Sequence, residues 1–169
     1  MIENLPQSGL SGVDIAMLVS LFPLLFLSAF FSCSETAFFR INQAQHIELQ
    51  QRRDTPAKAA VQLIKKRRGV LITILIGNMT ANVLFFVVSS VIMLKIPIGV
   101  ATEVGIALAT LFSIVIFGEV LPKMAATARP VGISTLLAPP LLLLHHFITP
   151  IRRAIDWFII TPLSRLAAS

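Results

Sequence analysis

The chain is poor in charge, poor in cysteine and, over its first 39 residues, without a single Lys or Arg. Only 13% of its 169 residues are charged and 56% are hydrophobic. A soluble domain carries roughly 25% charged residues. A mean hydropathy of +0.86 is more apolar surface than one water-facing core of this length could absorb. Several apolar stretches of about 20 residues run along the chain, so the class read from composition is an all-α integral membrane protein. The single cysteine, Cys33, excludes an internal disulfide and a cysteine-based metal centre. Glu3 and Asp14, but no basic residue, precede the first apolar run. That run exceeds the core of a signal peptide and reads as a retained span. The net charge of +6 does not point to nucleic acid, because the basic residues sit between hydrophobic runs, where they mark cytoplasmic loops.

Residues 1–12, with Pro6, Gly9 and Gly12, read as a short extracellular leader. A first helix is expected over Val13–Arg40, about 40 Å long at 1.5 Å per residue, enough to cross and protrude. Residues 41–68 then hold Arg52, Arg53, Lys58, Lys65, Lys66, Arg67 and Arg68 against Glu48 and Asp54. This density of positive charge predicts a two-helix cytosolic hairpin, with the N-terminus outside. Thr55 is the expected N-cap of its second helix and Pro56 the first helical position. Ala57, Ala60, Val61 and Ile64 share a face that should lie against the protein or the membrane surface. The basic face is read as a topology marker before an anionic-lipid surface.

A second span follows over Val70–Leu94, a turn over Lys95–Gly99, and a third span over Val100–Leu121, ended or kinked by Pro122 and Lys123. Val131–Ile148 is long enough to cross, but Pro139-Pro140 breaks the run midway. A crossing would also carry Arg152, Arg153 and Arg165 outside. The expectation is two short helices that dip in and return, then an amphipathic helix from Pro150 along the inner interface, anchored by Trp157 and Phe158. Three transmembrane helices therefore fall within residues 13–130, and juxtamembrane helices within 131–169. The chain stops at Leu166–Ser169 without a closing signal, which suggests that a further domain follows.

Polar residues interrupt the spans at one level. Ser32 lies eight residues inside Arg40, about 12 Å by the helical rise. Asn78 lies ten residues beyond Arg68 and Glu119 ten before Arg129, each about 15 Å. In a hydrocarbon core of roughly 30 Å, three helices thus bring oxygen-bearing side chains close to the midplane. Ser28, Ser32, Glu35 and Thr36 share a face of the first helix, and Asn78 and Asn82 are one turn apart. Pro122 removes the backbone donor for the Gly118 carbonyl, the kind of ligand that broken membrane helices offer cations. A carboxylate this deep costs roughly 2–3 kcal/mol unless compensated, and a bound cation would compensate Glu119. Glu35, only about 7 Å inside Arg40, fits a supporting place or the inner entrance. Hydroxyl, amide, carbonyl and carboxylate oxygens select a hard ion, Mg2+, Ca2+, Na+ or Mn2+, over zinc or copper.

Structural explanations exist for each residue alone. Ser, Thr and Asn in membrane helices commonly serve as interhelical hydrogen-bond glue. Glu35 could pair with Lys123 or Arg40, and Glu119 with Lys123. His145-His146 reads as structural. The convergence of depth favours a joint site.

The segments Ser32-Cys33-Ser34-Glu35-Thr36-Ala37, Gly77-Asn78-Met79-Thr80-Ala81-Asn82 and Phe117-Gly118-Glu119-Val120-Leu121-Pro122-Lys123 together resemble the transmembrane domain of the CorC/CorB/CNNM magnesium transporters. The resemblance implies a homodimer with three spans per subunit and a juxtamembrane helical belt. It also implies Mg2+ export coupled to Na+ entry, in the plasma (inner) membrane, with the C-terminus cytoplasmic. On matching positions it makes Ser32, Asn78 and Glu119 side-chain ligands of Mg2+, together with the Gly118 carbonyl. Ser28, Ser34, Glu35, Thr36, Asn82 and Lys123 are supporting or Na+-binding candidates. In the family a CBS domain that binds ATP follows; this chain lacks it, so nucleotide regulation is not expected here. The competing reading is a Mg2+-sensing membrane scaffold that transports nothing. An intramembrane enzyme using Ser32 or Ser34 with His145 or His146 is disfavoured, because the midplane group holds no His and no oxyanion motif.

Overall fold

A computed structural model describes residues 12–95 and 99–155, with side chains to Phe147. The proposed leader up to residue 11, the tip of the turn at 96–98, and the anchors Trp157 and Phe158 lie outside the described residues. Among those described every regular element is helical: α1 (Gly12–Phe39), α2 (Gln43–Gln51), α3 (Thr55–Lys65), α4 (Arg67–Lys95), α5 (Val100–Ser113), a π-helical segment (Ile114–Val120), α6 (Leu121–Ala128) and α7 (Pro130–Ile155). Among the described residues four helical stretches are long and apolar enough to cross a membrane: α1, α4, the run from α5 through α6, and Pro130–Phe147. Their outward surfaces carry Phe22, Phe26, Met79, Leu94, Phe112 and Phe147, all exposed, as helices that face lipid should.

Lipid tails are as apolar as leucine, so helices associate in a membrane through close backbone approach and hydrogen bonds. The α1–α4 pair follows this rule. Ser28 and Ser32 on α1, and Gly77 and Ala81 on α4, are small residues one turn apart, and all four are buried. The Phe31 ring lies flat against Gly77, where an added Cβ would collide with it. Arg67 closes the far end of α1: its guanidinium donates to the carbonyls of Phe38 and Phe39 at 3.5 and 3.3 Å and sits 5.4 Å above the Phe39 ring. A cation there satisfies the carbonyls that a helix end leaves open.

The basic hairpin packs at this same end. Asn42 caps α2 by accepting from the Gln45 N–H at 2.8 Å, while the Gln45 side chain accepts from the Asn42 N–H at 3.1 Å, a reciprocal capping box. On α3 the cap position falls to Asp54 rather than to the expected Thr55, with Pro56 inside the first turn. The Asp54 carboxylate pairs with Arg52 at 3.1 Å, and that hydrogen bond holds its pKa below the usual carboxylate value. Of the apolar face predicted for α3, Ala57 and Ala60 are buried and Val61 and Ile64 partly so, while Ala59 and Leu63, outside that prediction, are buried with them.

The last apolar stretch departs from expectation. In place of two short helices broken at Pro139-Pro140, α7 runs unbroken from Pro130 to Ile155. The two prolines forfeit ladder bonds to the carbonyls of Thr135 and Leu136, yet both face outward. The flanking Ala138 and Leu141 are fully buried in one cluster with Phe31, Phe38, Ala59, Ala60, Leu63, Val70 and Ile74. Packing on α1, α3 and α4 thus outweighs the local penalty. Val131, at the start of α7, packs against Ile41, Leu49 and Ala57. Fourteen residues later His145, 4% exposed, meets the Thr73 hydroxyl of α4 at 3.0 Å.

Candidate functional site

The third apolar stretch is not a simple helix kinked at Pro122. Ile114–Val120 is π-helical, and the Leu121 N–H bonds back to Ile116 rather than to Phe117. Pro122 then brings no N–H to its turn. The Phe117 carbonyl loses its helical donor to this shift in register, and the Gly118 carbonyl lacks its α-helical donor because position 122 is proline. Two successive carbonyls are affected where sequence reasoning foresaw Gly118 alone. π-bulges of this kind recur at functional sites.

Gly118 lets this segment approach α1. An added Cβ would stand 2.9 Å from the Ser28 hydroxyl and 3.2 Å from the Ile114 side chain. Across that contact the Ser32 hydroxyl, fully buried, donates to the backbone carbonyl of Glu119 at 3.3 Å. The Glu119 carboxylate accepts from the Asn82 amide at 3.1 Å. The Asn82 amide oxygen in turn accepts from the buried Ser28 hydroxyl at 2.6 Å. The Ser28 hydroxyl also lies 3.3 Å from the Asn78 amide oxygen. A hydroxyl has one proton to give, so the shorter bond claims it and the Asn78 oxygen keeps most of its accepting capacity. Three separate helices thus meet through Ser28, Ser32, Asn78, Asn82 and Glu119.

The other candidates lie apart. The Ser34 hydroxyl, fully buried, donates to the Phe30 carbonyl of its own helix at 2.7 Å. Glu35 pairs with Lys123 at 3.5 Å, bridging α1 and α6 on the basic side of the cluster. Thr36 lines an open cleft of about 370 Å³ with Arg40, Lys123, Met124 and Thr127. Asn82 and Ser28, supporting candidates by sequence, hold the centre of the hydrogen-bonded group. Their one-turn spacing from Asn78 and Ser32 was the available signal; which turn faces Glu119 depends on the π register. No group of three or more His, Cys, Asp or Glu occurs among the described residues. The site therefore offers mixed oxygen donors around one carboxylate, a set suited to hard cations.

A profile of the cyclin M transmembrane N-terminal domain matches residues 18–165. The chain belongs to the CNNM transmembrane domain family. It is 30% identical over 120 residues to the UPF0053 inner membrane protein YfjD of Escherichia coli, covering 67% of this chain and 27% of that protein. Over 135 residues it is 30% identical to a UPF0053 protein of Haemophilus influenzae, covering 78% of this chain and 30% of that protein. The chain thus spans less than a third of the curated relatives it matches. As a CNNM-family membrane domain it is related to membrane metal transporters, and the three polar motifs all fall inside the matched region.

Proposed function

We propose that this CNNM domain carries Mg2+ across the membrane, coupled to Na+, through the cluster on α1, α4 and the π segment. The observation that carries the reading is the placement of the Glu119 carboxylate and carbonyl against Ser28, Ser32 and Asn82 at a break in helical hydrogen bonding. A hard cation at this point exchanges one set of partners for another. The Asn82 amide nitrogen leaves the Glu119 carboxylate, and carboxylate, Asn78 and Asn82 amide oxygens, Ser32 hydroxyl and the carbonyls near Gly118 turn to the ion. Between cargo ions the Asn82 amide oxygen, the Glu119 carboxylate and the Glu119 carbonyl hold partners within the cluster, which offsets part of the cost of leaving them without the ion. Release then costs less than it would from a rigid cage.

The proposed layout has three spans, α1, α4 and the run from α5 through α6, with the basic hairpin in the cytoplasm. The path of α7 supports this count. About 21 Å of helix separates Val131 from His145, yet its partner Thr73 is only about 9 Å along α4 from Arg67. By His145 the helix has therefore reached only the first turns of α4, well short of its other end. A homodimer in the inner membrane, with a cytosolic CBS domain binding ATP beyond this segment, completes the family reading.

The test is Mg2+-dependent thermal stabilisation in detergent paired with Mg2+ flux in proteoliposomes. Glu119→Gln is expected to lower both by at least about tenfold, the scale of one lost charge-assisted ligand; Asn78→Ala should do so less severely. Unchanged stabilisation in both variants would remove the cation from this cluster. A second reading, a Mg2+-sensing scaffold, draws on the way the cluster's own hydrogen bonds tie three helices together. It predicts stabilisation by Mg2+ without any flux.

A further inference from the structure

The cleft between the ends of α1 and α6 has a different chemistry from the cation cluster. Its wall carries two cations, Arg40 and Lys123, and the hydroxyls of Thr36 and Thr127. Thr127 spends its proton on the Lys123 carbonyl at 2.8 Å. The side chains of Arg40 and Thr36 make no ion pair or hydrogen bond among the described residues. Lys123 reaches Glu35 at 3.5 Å, beyond the ordinary range for a charge-assisted hydrogen bond, about 2.7–2.9 Å. A guanidinium with its donors open, an ammonium only loosely held and a free hydroxyl therefore face one cleft of about 370 Å³. Beside them Met124, exposed on α6, gives the cleft an apolar flank.

We propose that this cleft binds a phosphate group, that of an anionic phospholipid in the leaflet at the basic end. Arg40 supplies a planar fork suited to two phosphate oxygens, Lys123 a point charge and Thr36 a hydroxyl. The Met124 flank takes the start of the acyl chain, which a free phosphate lacks. Binding draws Lys123 from Glu35. On the proposed cation path, this frees the Glu35 carboxylate at the mouth of the cluster, so that the lipid acts as a positive effector of cation entry; that last consequence rests on the transport reading, the binding itself does not.

The binding test is therefore run without Mg2+. Protein delipidated in an uncharged detergent, with EDTA present, is titrated with short-chain phosphatidylglycerol or with inorganic phosphate while thermal unfolding is followed. Wild-type protein is expected to show saturable stabilisation by phosphatidylglycerol. Arg40→Ala should raise the half-saturating concentration about tenfold, the scale of a lost charge-assisted pair. Thr36→Val, which keeps the shape of the side chain, should raise it by about threefold, a neutral hydrogen bond's worth. Arg53→Ala, an exposed cation on the hairpin, should leave it unchanged, and so should Glu119→Gln. Equal stabilisation by inorganic phosphate at similar concentration would overturn the lipid as source while retaining the phosphate site. Stabilisation that Arg40→Ala and Thr36→Val both leave intact, or none in wild type, would overturn the site. Loss of Mg2+ flux in Glu119→Gln with lipid binding retained separates this outcome from that of the transport reading.

Discussion

The two halves of the run from Val100 to Ala128 are equally apolar to the eye and differ completely in how they are held. In α5 no residue is buried; Val100, Val104, Leu108 and Phe112 are all exposed, and a cleft of about 320 Å³ opens between α5 and α4. In the half that follows, Ile114, Gly118 and Ala126 are buried, and the π segment and α6 pack on α1. Apolarity alone gives a helix no reason to leave lipid for protein. What distinguishes the second half is one glycine that admits a neighbouring backbone, one carboxylate that needs partners, and one proline that loosens the ladder. The candidate site and the grip on the bundle draw on the same three residues.

Glycine substitutions test that contrast most severely. Gly118→Ala places a methyl 2.9 Å from the Ser28 hydroxyl, and overpacking of this kind costs about 1–3 kcal/mol. A clear fall in thermal stability and in cation-dependent stabilisation is expected. Gly105→Ala on α5 meets nothing within 4 Å and should be neutral or raise stability by up to about 0.8 kcal/mol through helix propensity. Equal effects at the two positions would dissolve the distinction between the halves.

A smaller effect is expected from Ser28→Ala. It removes the 2.6 Å bond to Asn82 and leaves an amide oxygen short of a donor, for a loss of about 1 kcal/mol within the range measured between membrane helices. Ser90→Ala, in the wall of the α4–α5 cleft, should change unfolding by only a few tenths of a kcal/mol, the usual result where no special feature is touched. Comparing the two thermal midpoints in the same detergent checks both.

Much of this arrangement was legible in the sequence because membranes restrict the menu of structures. The ends of α1 and α4 follow from where apolar runs meet Arg40, Arg67 and Lys95, and of the two partners open to Glu35, Arg40 and Lys123, the structure takes Lys123. Two features were not legible, for different reasons. The continuity of α7 is a tertiary result: Ala138 and Leu141 find a cluster that local proline penalties do not know about. The leading place of Asn82 and Ser28 depends on the π register before Pro122, which rotates Glu119 relative to a ruler built on α-helical rise. Short polar motifs announce that helices meet, and the local hydrogen-bond register decides which turn does the meeting.

The far end of the bundle offers the mildest test of the comparison. There Lys95 of α4 holds Asp14 of α1 at 2.6 Å, with the two side chains 44% and 16% exposed. With its lysine open to solvent, such a pair contributes about 1 kcal/mol or less, and salt should weaken it further. Asp14→Asn is therefore expected to lower the thermal midpoint slightly at low ionic strength and not measurably in high salt, with Mg2+-dependent stabilisation untouched. The reason is positional: Asp14 lies two turns before Phe22 and about 21 Å along α1 from Ser28, with no buried residue of α1 between them. If Asp14→Asn instead abolished cation-dependent stabilisation while the fold survived, coupling would have to run through that exposed stretch of α1. The division between a loosely held far half and a basic half that carries the candidate site would then fail.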